Sequence, residues 1–423
     1  MFLKLYEIIS PGINLFGYIS FRAVFAFISA LIISFLIGPK VIRTLKNHLI
    51  GEEIRQNGPE SHLKKEGTPT MGGVIILLSV ILPTILWANI ENFYIQIVLI
   101  STALMGIIGL LDDYLKVVKK YPKGLIARYK LAGQIFLGIF VSVMIIYNIE
   151  EQNVFLSKYD IDEIGLNNKD IIDYIDSEFK VSNTEISVPF SADKRILSVD
   201  KIKQQIEGSI SSGENFNVAQ KISSGSLEVG LLIILISILV LSGSSNAINL
   251  TDGIDGLAAG LSAIVFFTLG LIAYATGNIN ISSYLNITYI NGSGELMIFC
   301  MSMVGACLGF LWFNSHPAEV FMGDTGSLSL GAAMGTIAII LKKEILLIII
   351  GGVFVIEAMS VILQVSFFKY TKKKYGEGKR LFLMAPLHHH FELKGLKENK
   401  IVVRFWIIGI LLSLLSLITM KVQ

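Results

Sequence analysis

Charge is what this chain has least of. Only 16% of its 423 residues are Asp, Glu, Lys or Arg, while 53% are hydrophobic; an ordinary soluble domain carries about 25% charged residues. The apolar residues gather in blocks long enough to cross about 30 Å of hydrocarbon, which excludes a soluble globular protein. Cysteine is nearly absent as well. Cys300 and Cys307 stand seven residues apart in one apolar block, so there is no disulfide framework and both read as packing residues. The chain also lacks a GxxxxGKS/T phosphate loop, a GxGxxG fingerprint, an HExxH pair and a GxSxG elbow. Those absences count against ATP-driven pumping and serine-type hydrolysis. No basic–aromatic surface suited to nucleic acid is present either.

Ten apolar blocks qualify as spanning helices: 17–38, 70–89, 95–111, 130–147, 227–242, 256–275, 295–312, 326–341, 345–368 and 402–420. Lys342, Lys343 and Glu344 alone divide the eighth from the ninth, which predicts a tight hairpin. Residues 1–15 carry one charge of each sign and no small-residue cleavage site, so they read as an interfacial lead-in, not a secretory signal. The expected fold is an all-α polytopic membrane protein, because open sheets cannot cross lipid.

Basic residues set the orientation. Loops 39–69, 112–130 and 369–401 hold six, six and nine Lys/Arg, which is 21 of the 35 in the chain. The three fall on one side of a ten-span chain, so they should be cytoplasmic and both termini should face outward. On the other side lies one long segment, 148–225, with eight Lys/Arg against 14 Asp/Glu. Loops longer than about 60 residues obey the positive-inside rule poorly, so this acidic segment is compatible with the orientation. The expected organisation is 1–147 as four spans, 148–225 as an extracytoplasmic insertion, and 226–423 as six further spans with cytoplasmic loops. Short helices at 171–179 and 199–206 and a strand at 185–189 would make the insertion a small folded outer cap; a largely flexible insertion is the alternative.

Polar side chains collect at the cytoplasmic helix ends, and the spans are nearly free of ionisable groups, Glu357 being the clear exception. That favours a reaction site at the inner surface over a conduit through the bilayer centre. Asp112 and Asp113 directly follow an apolar run. Neighbours on a helix diverge by about 100°, so both serve one site only near a helix end, where a cation such as magnesium relieves their repulsion; a solvated cap is the plainer alternative. NAINLTDGIDG at 246–256 places Asn246 and Asn249, then Asp252 and Asp255, three apart on shared faces. FMGDTGS at 321–327 opens a span with Asp324, so free N–H groups there could meet a phosphate; a simple helix cap is again the alternative. His388, His389 and His390 use half of the six histidines. Adjacent histidines rarely converge on one ion, so hydrogen bonding to phosphate or sugar is a better use than zinc. Lys116, Lys119, Lys120, Lys123, Arg128 and Lys130 follow the Asp pair, and Arg55, Lys64 and Lys65 lie in the first basic loop. Topology and contacts with membrane lipids account for several of these, and phosphate contacts for one or two.

Taken together, GPESHLKKEGTPTMGG at 58–73, GLLDDYLKVVKKYPKGLIARYK at 109–130, NAINLTDGIDGLAAG at 246–260, FMGDTGSLSLG at 321–331 and APLHHHFELKG at 385–395 resemble the phospho-N-acetylmuramoyl-pentapeptide-transferase family. That family belongs to the wider polyprenyl-phosphate N-acetylhexosamine-1-phosphate transferases. The resemblance covers the chain apart from 148–225. It implies transfer of phospho-MurNAc-pentapeptide from UDP-MurNAc-pentapeptide to undecaprenyl phosphate, with UMP released, in the bacterial cytoplasmic (inner) membrane. It implies Mg2+ as cofactor, held by Asp324 with Asp113 close by. Asp112 is the candidate base or lipid-phosphate positioner, and Asp112, Asp113, Asp324 and His388 are the implied catalytic set. Lys65, Lys116 and Lys130 become cationic substrate contacts, Lys65 on the nucleotide side, and Asn246, Asn249, Asp252, Asp255, His389 and His390 polar substrate contacts. A homodimer is admitted by the resemblance but carries no sequence signature. Direct attack by the lipid phosphate is favoured over a two-step route through an aspartate nucleophile, because the acceptor already supplies a nucleophile.

Two other functions compete. A sibling enzyme transferring GlcNAc-1-phosphate would share the Asp clusters, and the GPESH and HHHFE stretches lean away from it. A secondary transporter would need coupling groups near the midplane, where Glu357 stands alone.

Overall fold

The structure, a computed structural model, describes residues 14–47, 67–121, 124–164, 226–285 and 287–422. Among these every regular element is helical, as it must be where lipid offers no partner for backbone N–H and C=O groups. In chain order the α-helices are α1 (Ile19–Asn47), α2 (Gly73–Trp87), α3 (Phe93–Val117), α4 (Ala127–Ile164), α5 (Ser226–Thr251), α6 (Leu257–Thr276) and α7 (Ile279–Leu285). They continue as α8 (Leu296–Asn314), α9 (Gly323–Ile340), α10 (Glu344–Ile350), α11 (Gly352–Tyr375), α12 (Leu387–Leu393) and α13 (Glu398–Val422).

Eight of these, α1, α3, α4, α5, α6, α8, α11 and α13, are long and apolar enough to cross a membrane. The protein is therefore an all-α, multi-pass membrane protein. The remaining two expected spans behave differently. Block 70–89 forms α2, of 15 residues. Block 326–341 forms α9, whose residues from Thr325 to Ile340 are all buried. Its Gly, Ala and Ser content lowers its hydropathy and lets neighbours close around it, the usual role of small residues between membrane helices. Block 345–368 divides at Gly351 into α10 and α11. The hairpin at Lys342–Glu344 is present, with Lys343 N–H donating to the Ala338 carbonyl at 2.8 Å. Helix α4 runs on to Ile164, into the stretch expected to begin a separate insertion. The elements expected at 171–179, 185–189 and 199–206 lie outside the described residues.

Two packed groups build the core. Helix α8 lies against α1, α2 and α6, and α9 lies against α3 and α5. Gly305 and Gly309 of α8 sit on the Phe27 carbonyl, Ala30 and Ser34 of α1. A side chain at either position would have no room.

An ionic clamp closes one end of the bundle. Arg22 of α1 donates to both oxygens of Glu295, at 2.9 and 2.6 Å, and to the Trp87 carbonyl at 3.2 Å. Glu295 also accepts from Asn89 N–H at 2.8 Å. Beside it, Asn92 caps α3 through its Oδ1, which accepts from Tyr94 and Ile95 N–H, and it donates to the Gly292 carbonyl. Phe93 and Asp113 are about 30 Å apart along α3 at 1.5 Å per residue. The clamp and the Asp pair thus mark opposite ends. Replacing Arg22 by Met should leave the part-buried Glu295 carboxylate uncompensated, at a cost of about 3 kcal/mol, the low end for a buried pair. Thermal unfolding in detergent should show a clear drop, and Arg22→Met with Glu295→Met should recover part of it.

Candidate active site

The start of α9 is held between α2 and α3 by backbone contact. Phe321 N–H donates to the Pro69 carbonyl, and Gly72 and Gly73 N–H donate to the carbonyls of Phe321 and Met322, each at 2.8 Å. Gly73 faces the backbone of Gly326, and Gly109 of α3 faces the Asp324 carbonyl and the Thr325 backbone. Gly323 has φ +72°, a conformation that glycine adopts freely. A side chain there would also strike the Asp113 carboxylate.

Asp113 is the anion at this helix start. Its Oδ1 accepts from Asp324 N–H at 3.0 Å, and its Oδ2 from Thr325 N–H at 2.9 Å and Thr325 Oγ1 at 2.6 Å. The free N–H groups that the sequence offered to a phosphate are occupied instead by this buried carboxylate, in the orientation the helix dipole favours.

Asp112 points elsewhere, as the 100° divergence requires. Its Oδ1 accepts from Leu125 N–H at 2.6 Å. Its Oδ2 lies 2.5 Å from Lys116 Nζ and 2.8 Å from Lys130 Nζ. Asp324 Oδ2 meets the same two lysines, Lys130 at 2.5 Å and Lys116 at 3.5 Å. Asp324 Oδ1 accepts from Asn249 Nδ2 at 2.8 Å, and Asn249 also donates to Ser327. Two ammonium groups therefore bridge two carboxylates, and a third carboxylate abuts them.

This donor set fits magnesium. Oxygens of Asp112, Asp113 and Asp324 lie within 4.8 Å of one another. The Lys130 ammonium already sits between Asp112 and Asp324 as a cation. Asp113 Oδ1, accepting one hydrogen bond, keeps a lone pair. Hard oxygen donors in this number suit an ion that retains several waters.

A second cluster surrounds Asp255. Its Oδ2 lies 2.9 Å from His316 Nδ1 and accepts from Ala318 N–H at 3.2 Å, while its backbone N–H donates to Glu398 Oε1 at 2.7 Å. Asn314 Oδ1 accepts from Gly256 N–H at 3.0 Å. The turn 252–256 is thereby tied to α8, α13 and the 315–320 loop.

The three histidines diverge. His388 is fully buried and pairs with Glu357. His389 Nδ1 lies 2.8 Å from Glu392, and its ring packs edge-on against His388. His390 Nδ1 accepts from Leu383 N–H at 3.1 Å. Burial, and then the Lys394 charge, lower the His390 pKa from its ordinary value, the direction that favours an accepting ring nitrogen. Asn246 is exposed and donates to Gln134 at 3.1 Å and to the Ser242 carbonyl. Asp252 stands half-buried in the turn. Lys65 and the 58–66 part of its motif lie outside the described residues.

Of the residues expected at the site, Asp112, Asp113, Lys116, Lys130, Asn249 and Asp324 thus share one cluster. Thr325, Ser327, Gln134, His316 and Glu398 were not singled out by sequence. Thr325 and Ser327 fall inside a quoted motif and could have been; Glu398 and His316 carry no local signal, since their partners are 143 and 61 residues away.

Comparison with known proteins agrees with this geometry. Residues 199–342 match the family Glycosyl transferase family 4, and residues 65–77 match phospho-N-acetylmuramoyl-pentapeptide-transferase signature 1. The phospho-N-acetylmuramoyl-pentapeptide-transferase of Thermodesulfovibrio yellowstonii is 44% identical over 412 residues, covering 97% of this chain and 96% of that protein. Those of Citrifermentans bemidjiense and Chloroherpeton thalassium are 45% and 44% identical, covering 97% and 98% of this chain and 96% of each relative. With identity sustained through nearly the whole of both chains, and with the signature ending in the segment that pins α2 to the acidic helix start, this chain belongs to the phospho-N-acetylmuramoyl-pentapeptide-transferase family.

Proposed function

We propose that the reaction runs at the Asp112–Asp113–Asp324 cluster, on the cytoplasmic face of a ten-span bundle with both termini outward. The chain is a magnesium-dependent inner-membrane enzyme that transfers phospho-MurNAc-pentapeptide from UDP-MurNAc-pentapeptide to undecaprenyl phosphate, forming the lipid-linked product and UMP. The observation that carries the proposed location is the pair of lysines shared between Asp112 and Asp324. Such lysines can exchange a carboxylate partner for a phosphate oxygen as substrate enters. The basic loops 39–69, 112–130 and 369–401 support the orientation, with α2 and α9 as the two further spans.

Roles follow from position. Asp324 and Asp113 would hold magnesium, which supplies charge neutralisation on the diphosphate when bound. Asp112, turned toward Lys116 and Lys130, would position the lipid phosphate and take its proton where it carries one. Lys116 and Lys130 would then bind phosphate oxygens of donor and acceptor. Asn249 fixes Asp324; Asn246, Asp252, Asp255 and Lys65 would contact the nucleotide-sugar, and His388, His389 and His390 the sugar-diphosphate side. An oxygen of the lipid phosphate attacks the donor β-phosphorus, a new P–O bond forms, and the bond to UMP breaks. Both reactants bring their own phosphates, so alignment and charge compensation suffice without an enzyme-bound intermediate.

A reconstituted assay with both substrates, reading UMP and lipid product, tests this location. Asp324→Asn should lower turnover by on the order of 10²-fold or more. Chelation of magnesium should abolish wild-type turnover and excess magnesium should restore it. A fully active Asp324→Asn removes the proposed metal site. Gly109→Ala, which lies outside the reacting groups, should push the α9 start from α3. A displacement of about 1 Å can cost about 10²-fold in rate, so turnover should fall steeply while the folded protein still accumulates.

A further inference from the structure

Glu357 is an ionisable residue inside a span that neither the transfer chemistry nor the Arg22–Glu295 clamp accounts for. It is fully buried on α11, as is His388 on α12. Its Oε1 accepts from His388 backbone N–H at 3.2 Å, and its Oε2 lies 3.2 Å from His388 Nδ1. A carboxylate only accepts hydrogen bonds, so the ring proton belongs on Nδ1. The other ring nitrogen, Nε2, is buried and has no hydrogen-bond partner. It lies against Gly253, where any side chain would collide with it, and His389 Nε2 borders the same spot. Gly253 lies just beyond the end of α5, the helix that carries Asn249, and Asn249 holds Asp324. A burial cost of this kind for Glu357 is retained where the group serves a site.

We propose that Glu357 is the positioning residue for His388, holding its imidazole as the Nδ1–H tautomer so that Nε2 is presented as an acceptor to a hydroxyl of the donor's sugar beside the Asp252–Gly253 turn. The two hydrogen bonds fix both the start of α12 and the ring plane, as carboxylate partners do for imidazoles at other functional sites. The inference rests on the reading that His388 works on the sugar-diphosphate side. It adds a residue from a different helix and a defined nitrogen. It also makes the absence of a side chain at 253 a requirement for that nitrogen's approach.

Glutamine at 357 offers one acceptor for two donors. The backbone N–H of His388 cannot change its donor character, so the ring must, and Nε2 becomes the protonated nitrogen. The test combines 15N-histidine NMR of the full-length enzyme in detergent with a double-mutant cycle. In the wild type, the imidazole signal that disappears in His388→Asn should have the Nδ1–H pattern; in Glu357→Gln it should change to the Nε2–H pattern. Glu357→Gln should lower kcat by about 10- to 100-fold. Glu357→Gln combined with His388→Ala should be no slower than His388→Ala alone, because the carboxylate acts through the ring. A merely structural Glu357 would instead give multiplying losses and an unchanged tautomer, and either result overturns the proposal. The wild-type spectrum decides even if Glu357→Gln does not accumulate: an Nε2–H signal for His388 rules the arrangement out. A His388→Ala enzyme with full turnover removes the role given to His388 and this inference with it, while leaving the transfer reaction standing.

Discussion

Three carboxylates brought together at one end of a helical bundle repel one another, and the arrangement around them answers that repulsion. Asp113 spends its charge on the first N–H groups of α9 and on Thr325. Asp112 and Asp324 share Lys116 and Lys130. Neither solution works unless α9 begins directly against α3, and that approach is set by residues with no side chain. Gly109 lets the Asp324 carbonyl touch α3, Gly73 lets α2 meet Gly326, and Gly323 turns the chain with a positive φ. The small-residue composition of α9 continues the same close packing through its length.

A site built in this way suits two substrates that arrive from different phases. One is a soluble, strongly anionic nucleotide-sugar, and the other keeps its phosphate at the membrane surface. Helix ends at the interface can meet both, whereas a site at the midplane would strand the nucleotide. On the proposed reading, the lysines that neutralise Asp112 and Asp324 are the groups that receive phosphate oxygens. Charge stays compensated on either side of binding, and little rearrangement is needed.

The turn after α5 gathers contacts from later parts of the chain. Asp255 is tied to His316 and Glu398, Gly256 to Asn314, and Gly253 lies against His388. Three separate stretches of chain, at 314–318, 388 and 398, therefore converge on the turn 252–256.

Composition and periodicity by themselves determined the helical class, eight of the ten expected spans and the motifs that carry charge, because burial in lipid imposes long apolar blocks and leaves polar residues few places to stand. Adjacent acids at 112 and 113 were also legible as divergent side chains near a helix end. Only the tertiary structure decided which partner each takes: Asp113 the start of α9, 211 residues onward, and Asp112 the two lysines. It likewise divided the histidine tract into three environments and gave Glu357 its partner. Apart from Asp112–Lys116, which stand one helical turn apart, such pairings join residues from different elements. No local pattern encodes them, whereas the 3.6-residue helix and the thickness of a membrane are written into every apolar block.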